Sequence, residues 1–205
     1  MKKVLIAITL LLLSAGLAGA QNAVLAKIEK ANQGQVDVEC TFTRTRTLPA
    51  TGKVIKDGGT LWYSSPDKLN MTYDNPKEGM VINGKMMFVR RAGKPSTFDT
   101  SKNALMKGLR DVLLGCIAGK VETIAKENDA AVTVKEVKDF YNITMEPFNP
   151  GVMGYSRIAL TYRKADCVMI RMETVEVGGV TEVIKLEEVR RVSSVDPAKF
   201  VLPKK

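Results

Sequence analysis

Between residues 58 and 91 the chain reads GGTLWYSSPDKLNMTYDNPKEGMVINGKMMFVRR, and this stretch limits the possible folds more than any other. Two short alternating apolar runs, 60–63 and 69–73, flank Ser64-Ser65-Pro66-Asp67, where proline with φ held near −65° followed by aspartate marks a turn. A third run, 80–82, is closed by Asn83-Gly84, whose tolerance of positive φ suits a tight turn that sends residues 85–90 back antiparallel. The segment is therefore expected to be a four-strand meander, and the rest of the chain must supply surfaces for it to pack on.

The same two-residue period recurs on both sides. Val36, Val38, Cys40 and Phe42 alternate with Asp37, Glu39, Thr41 and Thr43, the cleanest strand pattern present, after an amphipathic helix over 22–32 that carries Val24, Leu25, Ile28 and Ala31 on one face. Residues 47–54 and 95–101 have loop composition, the second with at most a short edge strand around Phe98. A helix over 102–118 follows, with Ser101 as its expected N-cap, an apolar stripe of Leu105, Leu109, Val112, Leu113 and Cys116, and Gly119 as its break; 120–127 offers a second short helix. After Ala130 the alternation returns through Val132 and Val134, Tyr141 to Met145, Ile158 to Tyr162, Val168 to Met172, and Ile184 with Leu186; residues 200–202 are a candidate edge strand.

About ten or eleven antiparallel strands and three helices result, an α+β chain that is mainly β. A twisted sheet of that size curls, and helices apolar on one side need an apolar surface beneath them. The expected architecture is an incomplete, half β-barrel with a helical lid over its concave apolar face.

Residues 1–20 have the pattern of a cleaved signal peptide: Lys2 and Lys3, an apolar run over 4–13, and the small-x-small site Ala18-Gly19-Ala20 with cleavage after Ala20. The remainder, 21–205, is expected to be one exported domain. The chain carries 31 basic and 22 acidic side chains, a net +9, and +7 without Lys2 and Lys3. No basic helix interleaved with stacking aromatics accompanies that excess, so nucleic acid is not an expected partner, whereas anionic head groups or acidic surfaces are compatible with it.

There is no histidine at all, which removes Ser-His and Cys-His nucleophilic pairs and histidine-ligated zinc. No phosphate loop is present, and Asp37, Glu39, Glu187 and Glu188 read as solvated strand positions, so neither an enzyme nor a cofactor or metal is expected. Cys40, Cys116 and Cys167 allow three disulfide pairings; small buried hydrophobes is the better reading of Cys40 and Cys116, which fall within apolar stripes. Ten methionines are the other compositional signal, with Met71, Met80, Met86 and Met87 in the meander and Met106 in the helix. Such adaptable side chains either fill an ordinary core or line a cavity for flexible acyl chains, whose candidate wall is Leu69, Met71, Tyr73, Met80, Ile82, Met86 and Phe88, faced by Leu105, Met106, Leu109, Val112 and Leu113.

The order Gly59-x-Leu61-Trp62-x-x-x-Pro66, Tyr73, Pro76 and Val81-Ile82-Asn83-Gly84-Lys85, with Val195-Asp196-Pro197-Ala198-Lys199-Phe200 at the far end, resembles the periplasmic outer-membrane lipoprotein carrier family (LolA-like) over most of 21–205. The resemblance implies a monomeric periplasmic chaperone that shields lipoprotein acyl chains, takes cargo from an inner-membrane lipoprotein-release complex and passes it to an outer-membrane acceptor. It aligns the family's cavity aromatics with Leu69 and Met71, and places Ser65 where members carry an arginine that holds the lid shut. A serine can make one such hydrogen bond but brings neither the charge nor the fork. The rival readings are a general lipid or glycolipid shuttle and a lipid-sensing module of envelope-stress signalling.

Overall fold

The protein is described by a computed structural model over residues 19–34, 36–150 and 154–203. The signal-peptide pattern over residues 1–18 lies outside the described residues. A helix, α1, covers 19–31. It is followed by β1 (Asp37–Leu48), β2 (Lys53–Ser64), β3 (Lys68–Tyr73), β4 (Gly79–Asn83), β5 (Met86–Arg91) and β6 (Lys94–Asp99). Two helices, α2 (Ala104–Ile117) and α3 (Val121–Glu127), precede β7 (Ala130–Val137), β8 (Phe140–Pro147), β9 (Tyr155–Arg163), β10 (Met169–Glu176) and β11 (Thr181–Val192).

The eleven strands of the described residues form one sheet in the order β6-β5-β4-β3-β2-β1-β11-β10-β9-β8-β7. Each half is a meander of hairpins, and the antiparallel pairing of β1 with β11 joins them at the middle. Among the described residues the free edges are thus β6 and β7, and the chain passes from one to the other through α2 and α3. Two edges that far apart cannot be linked by a hairpin turn, so the long connection between them is where helices belong.

Register carries the apolar face across the strands. Val38, Cys40 and Phe42 stand opposite Tyr63, Leu61 and Gly59; Tyr63 and Leu61 stand opposite Leu69 and Met71; and these stand opposite Ile82 and Met80. In the other half, Ile184, Met172, Leu160 and Ile143 form one continuous row. Onto this face pack Val24, Leu25 and Ile28 of α1, Val112, Leu114 and Cys116 of α2, and Val121 and Ile124 of α3, in one core cluster. Gly59 lets Tyr73 and Phe42 meet as an edge-to-face pair 4.9 Å apart. A Cβ there would stand 2.0 Å from the Thr72 carbonyl oxygen, so the glycine is required by backbone approach.

Four local expectations are corrected. The segment expected to be loop is strand β6, whose register pairs Phe98 with Met87 and Ser96 with Val89. Helix α2 starts at an Asn103 cap, whose Oδ1 accepts from the Met106 amide at 3.0 Å; Ser101 instead gives its amide and hydroxyl to Asp99 in a preceding 3-10 turn. The C-terminal stretch adds no strand: residues Pro197–Phe200 form a 3-10 turn on the other face of the sheet, where Asn83 Nδ2 donates to the Phe200 carbonyl at 3.1 Å and Lys199 lies 4.4 Å above the Trp62 ring. Asp37 is not solvated but buried, accepting from Ser64 Oγ at 2.9 Å and the Val195 amide at 2.7 Å, which ties the end of the chain to β1. The break at Gly119 is as expected, with φ +71° and a Lys120 amide to Gly115 carbonyl bond of 2.8 Å closing the helix.

Candidate functional site: a cavity between α2 and the sheet

The apolar rows of the sheet and the stripe of α2 do not meet everywhere. Between them lies a cavity of about 630 Å³, within the size range of small-ligand sites. Leu105, Met106, Leu109 and Leu113 of α2 form one wall, and Met71, Met80, Met87, Val89 and Phe98 of β3 to β6 form another. Tyr155, Thr174 and Ile184 of β9 to β11 also line it, so the sheet bends far enough for strands from both halves to face one space.

The residues expected in the cavity divide by strand phase. Met71, Tyr73 and Met80 line it. Leu69 and Ile82 are fully buried in the packed core next along the same face, as is Val112 of α2. Met86 and Phe88 have the wrong phase: a two-residue loop sets Ile82 opposite Met87 and Met80 opposite Val89, so Met87 and Val89 turn to the cavity. Phe88 instead pairs with Val81 on the outer face, where both are buried outside the main core cluster. Phe98 also lines the cavity, a role that the loop-like composition around it conceals in the sequence.

One end of the space is charged. Alternation along β1 continues past Phe42, so Arg44 and Arg46 follow it onto the inner face. The Arg44 side chain is only 5 % exposed. Its Nε donates to Asp57 Oδ1 at 2.8 Å, its Nη2 to Glu78 Oε2 at 3.1 Å, and its guanidinium lies 4.5 Å from the centre of the Tyr73 ring. Burial alone would drop the Arg44 pKa, but its bond to Asp57, with Tyr73 and Glu182 nearby, pushes it up. Arg91, Lys94, Glu176 and Glu182 line the same end of the cavity. Desolvation pushes the Glu182 carboxyl up from its ordinary value, against the pull of Arg44 and Arg46.

Ser65 lies elsewhere. It borders a smaller depression with Glu29, Tyr63, Pro66, Ala118 and Lys120, and its hydroxyl donates to the Gly34 carbonyl at 3.1 Å. Other groups hold helix α2 in place: Tyr162 Oη of β9 donates to the Cys116 carbonyl at 2.6 Å, and Arg110 Nη1 donates to Thr100 Oγ1 of the preceding 3-10 turn at 2.8 Å. Cys40, Cys116 and Cys167 are all free and buried. Among the described residues no group of three or more histidine, cysteine or acidic side chains is arranged to hold a metal ion, and no helix is long and apolar enough to cross a membrane.

Residues 36–203 match the family described as outer membrane lipoprotein carrier protein LolA. The chain belongs to that family. The LolA match spans every strand of the sheet together with α2, α3 and the closing turn, and so includes all the walls of the cavity. In fold the chain is similar to an uncharacterized conserved protein from Thermus thermophilus, at TM-score 0.51 and 11 % identity over 91 % of this chain and 95 % of that one. It is similar also to a DUF1329 family protein from Desulfovibrio piger, at TM-score 0.50 and 12 % identity over 90 % and 97 %. A LolA superfamily protein from Nitrosomonas europaea aligns at TM-score 0.42 and 10 % identity over 88 % and 97 %. No curated protein matches the sequence.

Proposed function

We propose that this chain is a periplasmic carrier that shields the acyl chains of lipoproteins during transfer from the inner to the outer membrane, with α2 as the lid of a half-barrel. The observation that carries this reading is the cavity walled by methionine and leucine side chains from both α2 and the sheet, in a chain of the LolA family. Burial of each methylene contributes about 0.8 kcal/mol, so one chain of roughly fifteen methylenes amounts to about 12 kcal/mol, too much to cross water unshielded. Methionines at Met71, Met80, Met87 and Met106 suit a guest without fixed shape, because the thioether side chain repacks at low cost. In this reading residues 1–20 direct export, 21–205 act as a single domain, and the partners are an inner-membrane release complex and an outer-membrane acceptor.

A second reading, a lipid or glycolipid shuttle without lipoprotein specificity, is favoured by Ser65, which makes its bond to the α1–β1 loop at Gly34 and carries no charge with which to latch α2. Native mass spectrometry of protein purified from its own envelope separates the two. Co-purified acylated peptide or lipoprotein supports the carrier, phospholipid or glycolipid alone supports the shuttle, and persistently empty protein overturns both.

A further inference from the structure

The charged end of the cavity contains an acceptor that the fold leaves unanswered. Glu182 faces inward on β11, opposite Arg46 of β1 and Thr174 of β10, and lines the cavity beside Glu176 and Tyr155. Its Oε2 is buried and has no hydrogen-bond partner among the described residues. The nearest cationic groups, Arg44 Nη1 at 3.6 Å and Arg46 Nη1 at 3.9 Å, balance its charge but stand too far away to donate. Both arginines are engaged elsewhere, Arg44 with Asp57, Glu78 and Tyr73, and Arg46 with Glu176 at 3.2 Å. Oε2 itself is covered, but Glu182 lines the cavity and its side chain is 21 % exposed, so the carboxylate is reached from that space. A buried acceptor without a donor is costly, and a site that contains one discriminates against any ligand unable to satisfy it.

We propose that the Glu182 carboxylate is the head-group acceptor of this cavity, turning to take a neutral N–H or O–H donor from an occupant that lays its acyl chain along Met71, Met80, Met87 and Leu109. Neutrality follows from the charges around this end. Arg44, Arg46, Arg91 and Lys94 stand against Asp57, Glu78, Glu176 and Glu182, so the set is already balanced, and an ammonium or phosphate head would add a charge without a counter-charge. The inference deepens the acyl-carrier reading above and rests on it. The amide N–H of an N-acylated chain terminus and the hydroxyl of an acylglycerol share the required chemistry.

The test is displacement of a fluorescent fatty-acyl probe from the purified protein by three ligands that share the lauroyl chain: N-lauroylglycine methyl ester with an amide donor, monolauroylglycerol with hydroxyl donors, and methyl laurate with none. At least one donor ligand is expected to bind about tenfold more tightly than methyl laurate, which is roughly 1.4 kcal/mol. Preference for the amide assigns the site to N-acylated chains, and preference for the glycerol assigns it to acylglycerols. In Glu182→Met that preference is lost, whereas Glu182→Gln, which keeps an acceptor oxygen, retains most of it. Equal binding of all three ligands by the wild-type protein overturns the proposal and leaves the acyl-carrier reading intact, as does an undiminished preference in Glu182→Met. Failure of all three to displace the probe overturns the acyl-carrier reading itself. Should Glu182→Met not fold, as judged by circular dichroism, the wild-type ligand series and Glu182→Gln still decide.

Discussion

Arg44 holds two carboxylates inside the protein, and this fixes what its loss would do. Asp57 and Glu78 both bond to it, and the exposures of their side chains are only 7 % and 15 %. Arg44→Met keeps the volume but leaves both acids buried without a cation. Removing one partner of a buried pair typically costs about 3–5 kcal/mol. Urea unfolding of Arg44→Met should therefore show a midpoint lowered by that equivalent with an unchanged slope; a shift below about 1 kcal/mol would mean that solvent reaches the cluster. The cysteines give a second check. Burial pushes the Cys40 and Cys116 thiols from 9.0 up to about 12, so at pH 8 an aromatic disulfide reagent should leave them unmodified in the folded protein and react with all three cysteines in denaturant. Because these folded pKa values exceed the unfolded ones, their contribution to stability is complete below pH 9 and is lost as pH rises from 9 towards 12. Tyr73 and Tyr162, also pushed up by burial, act in the same direction. Stability that stayed level from about pH 9 to 11 would contradict this burial.

Among the elements, α2 has to pack on the sheet and still leave a cavity, and its two ends do these jobs separately. Its C-terminal half is anchored: Val112, Leu114 and Cys116 are buried, Gly115 lies so close to Ile124 that a Cβ would be 2.7 Å from it, and Tyr162 bonds to the Cys116 carbonyl in the helix's last turn. Its N-terminal half presents Leu105, Met106 and Leu109 to the space, and Leu105 remains half exposed. Tyr162→Phe should cost about 1 kcal/mol, because the Cys116 carbonyl keeps its bond from the Gly119 amide, and amide exchange over 104–117 should quicken about fivefold. Leu109→Glu puts a charge into the apolar wall and should abolish uptake of an acyl probe while the far-ultraviolet strand signal is kept; undiminished uptake would remove α2 from the binding mechanism.

Which of these features the sequence discloses depends on how local their cause is. The strands of both meanders and the stripe of α2 were legible, because alternation of Val36 to Phe42 or the spacing of Leu105, Leu109 and Leu113 is set by neighbours a few residues apart. Strand β6 was not, since an edge strand with Pro95, Ser96 and Thr97 owes its place to pairing with β5 and buries little of its own. The cavity's charged end was hidden for a related reason. Arg44 and Glu182 continue the buried phase of Phe42 and Ile184, a signal that a search for apolar residues passes over, and they meet only through the β1–β11 register across most of the chain length.

At the scale of the molecule, the pairing of β1 with β11 makes the cavity a joint product of both meanders, with β3 to β6 and α2 on one side and β9 to β11 on the other. A guest that fills it binds the folded state and nothing in the unfolded one, so occupancy must appear as global stability. At a ligand concentration of about 100 Kd the gain is about 2.7 kcal/mol, which for a chain of this size raises Tm by roughly 5–10 °C. If the walls close on an acyl chain, each added methylene contributes about 0.8 kcal/mol, close to a fourfold fall in Kd. Across a series of monoacylglycerols of increasing length, affinity and Tm should climb together and then level off once the chain outgrows a space of about 630 Å³. The chain length at the plateau measures the cavity from the guest's side. A Tm that ignores chain length throughout would place the binding of these lipids outside the space between α2 and the sheet.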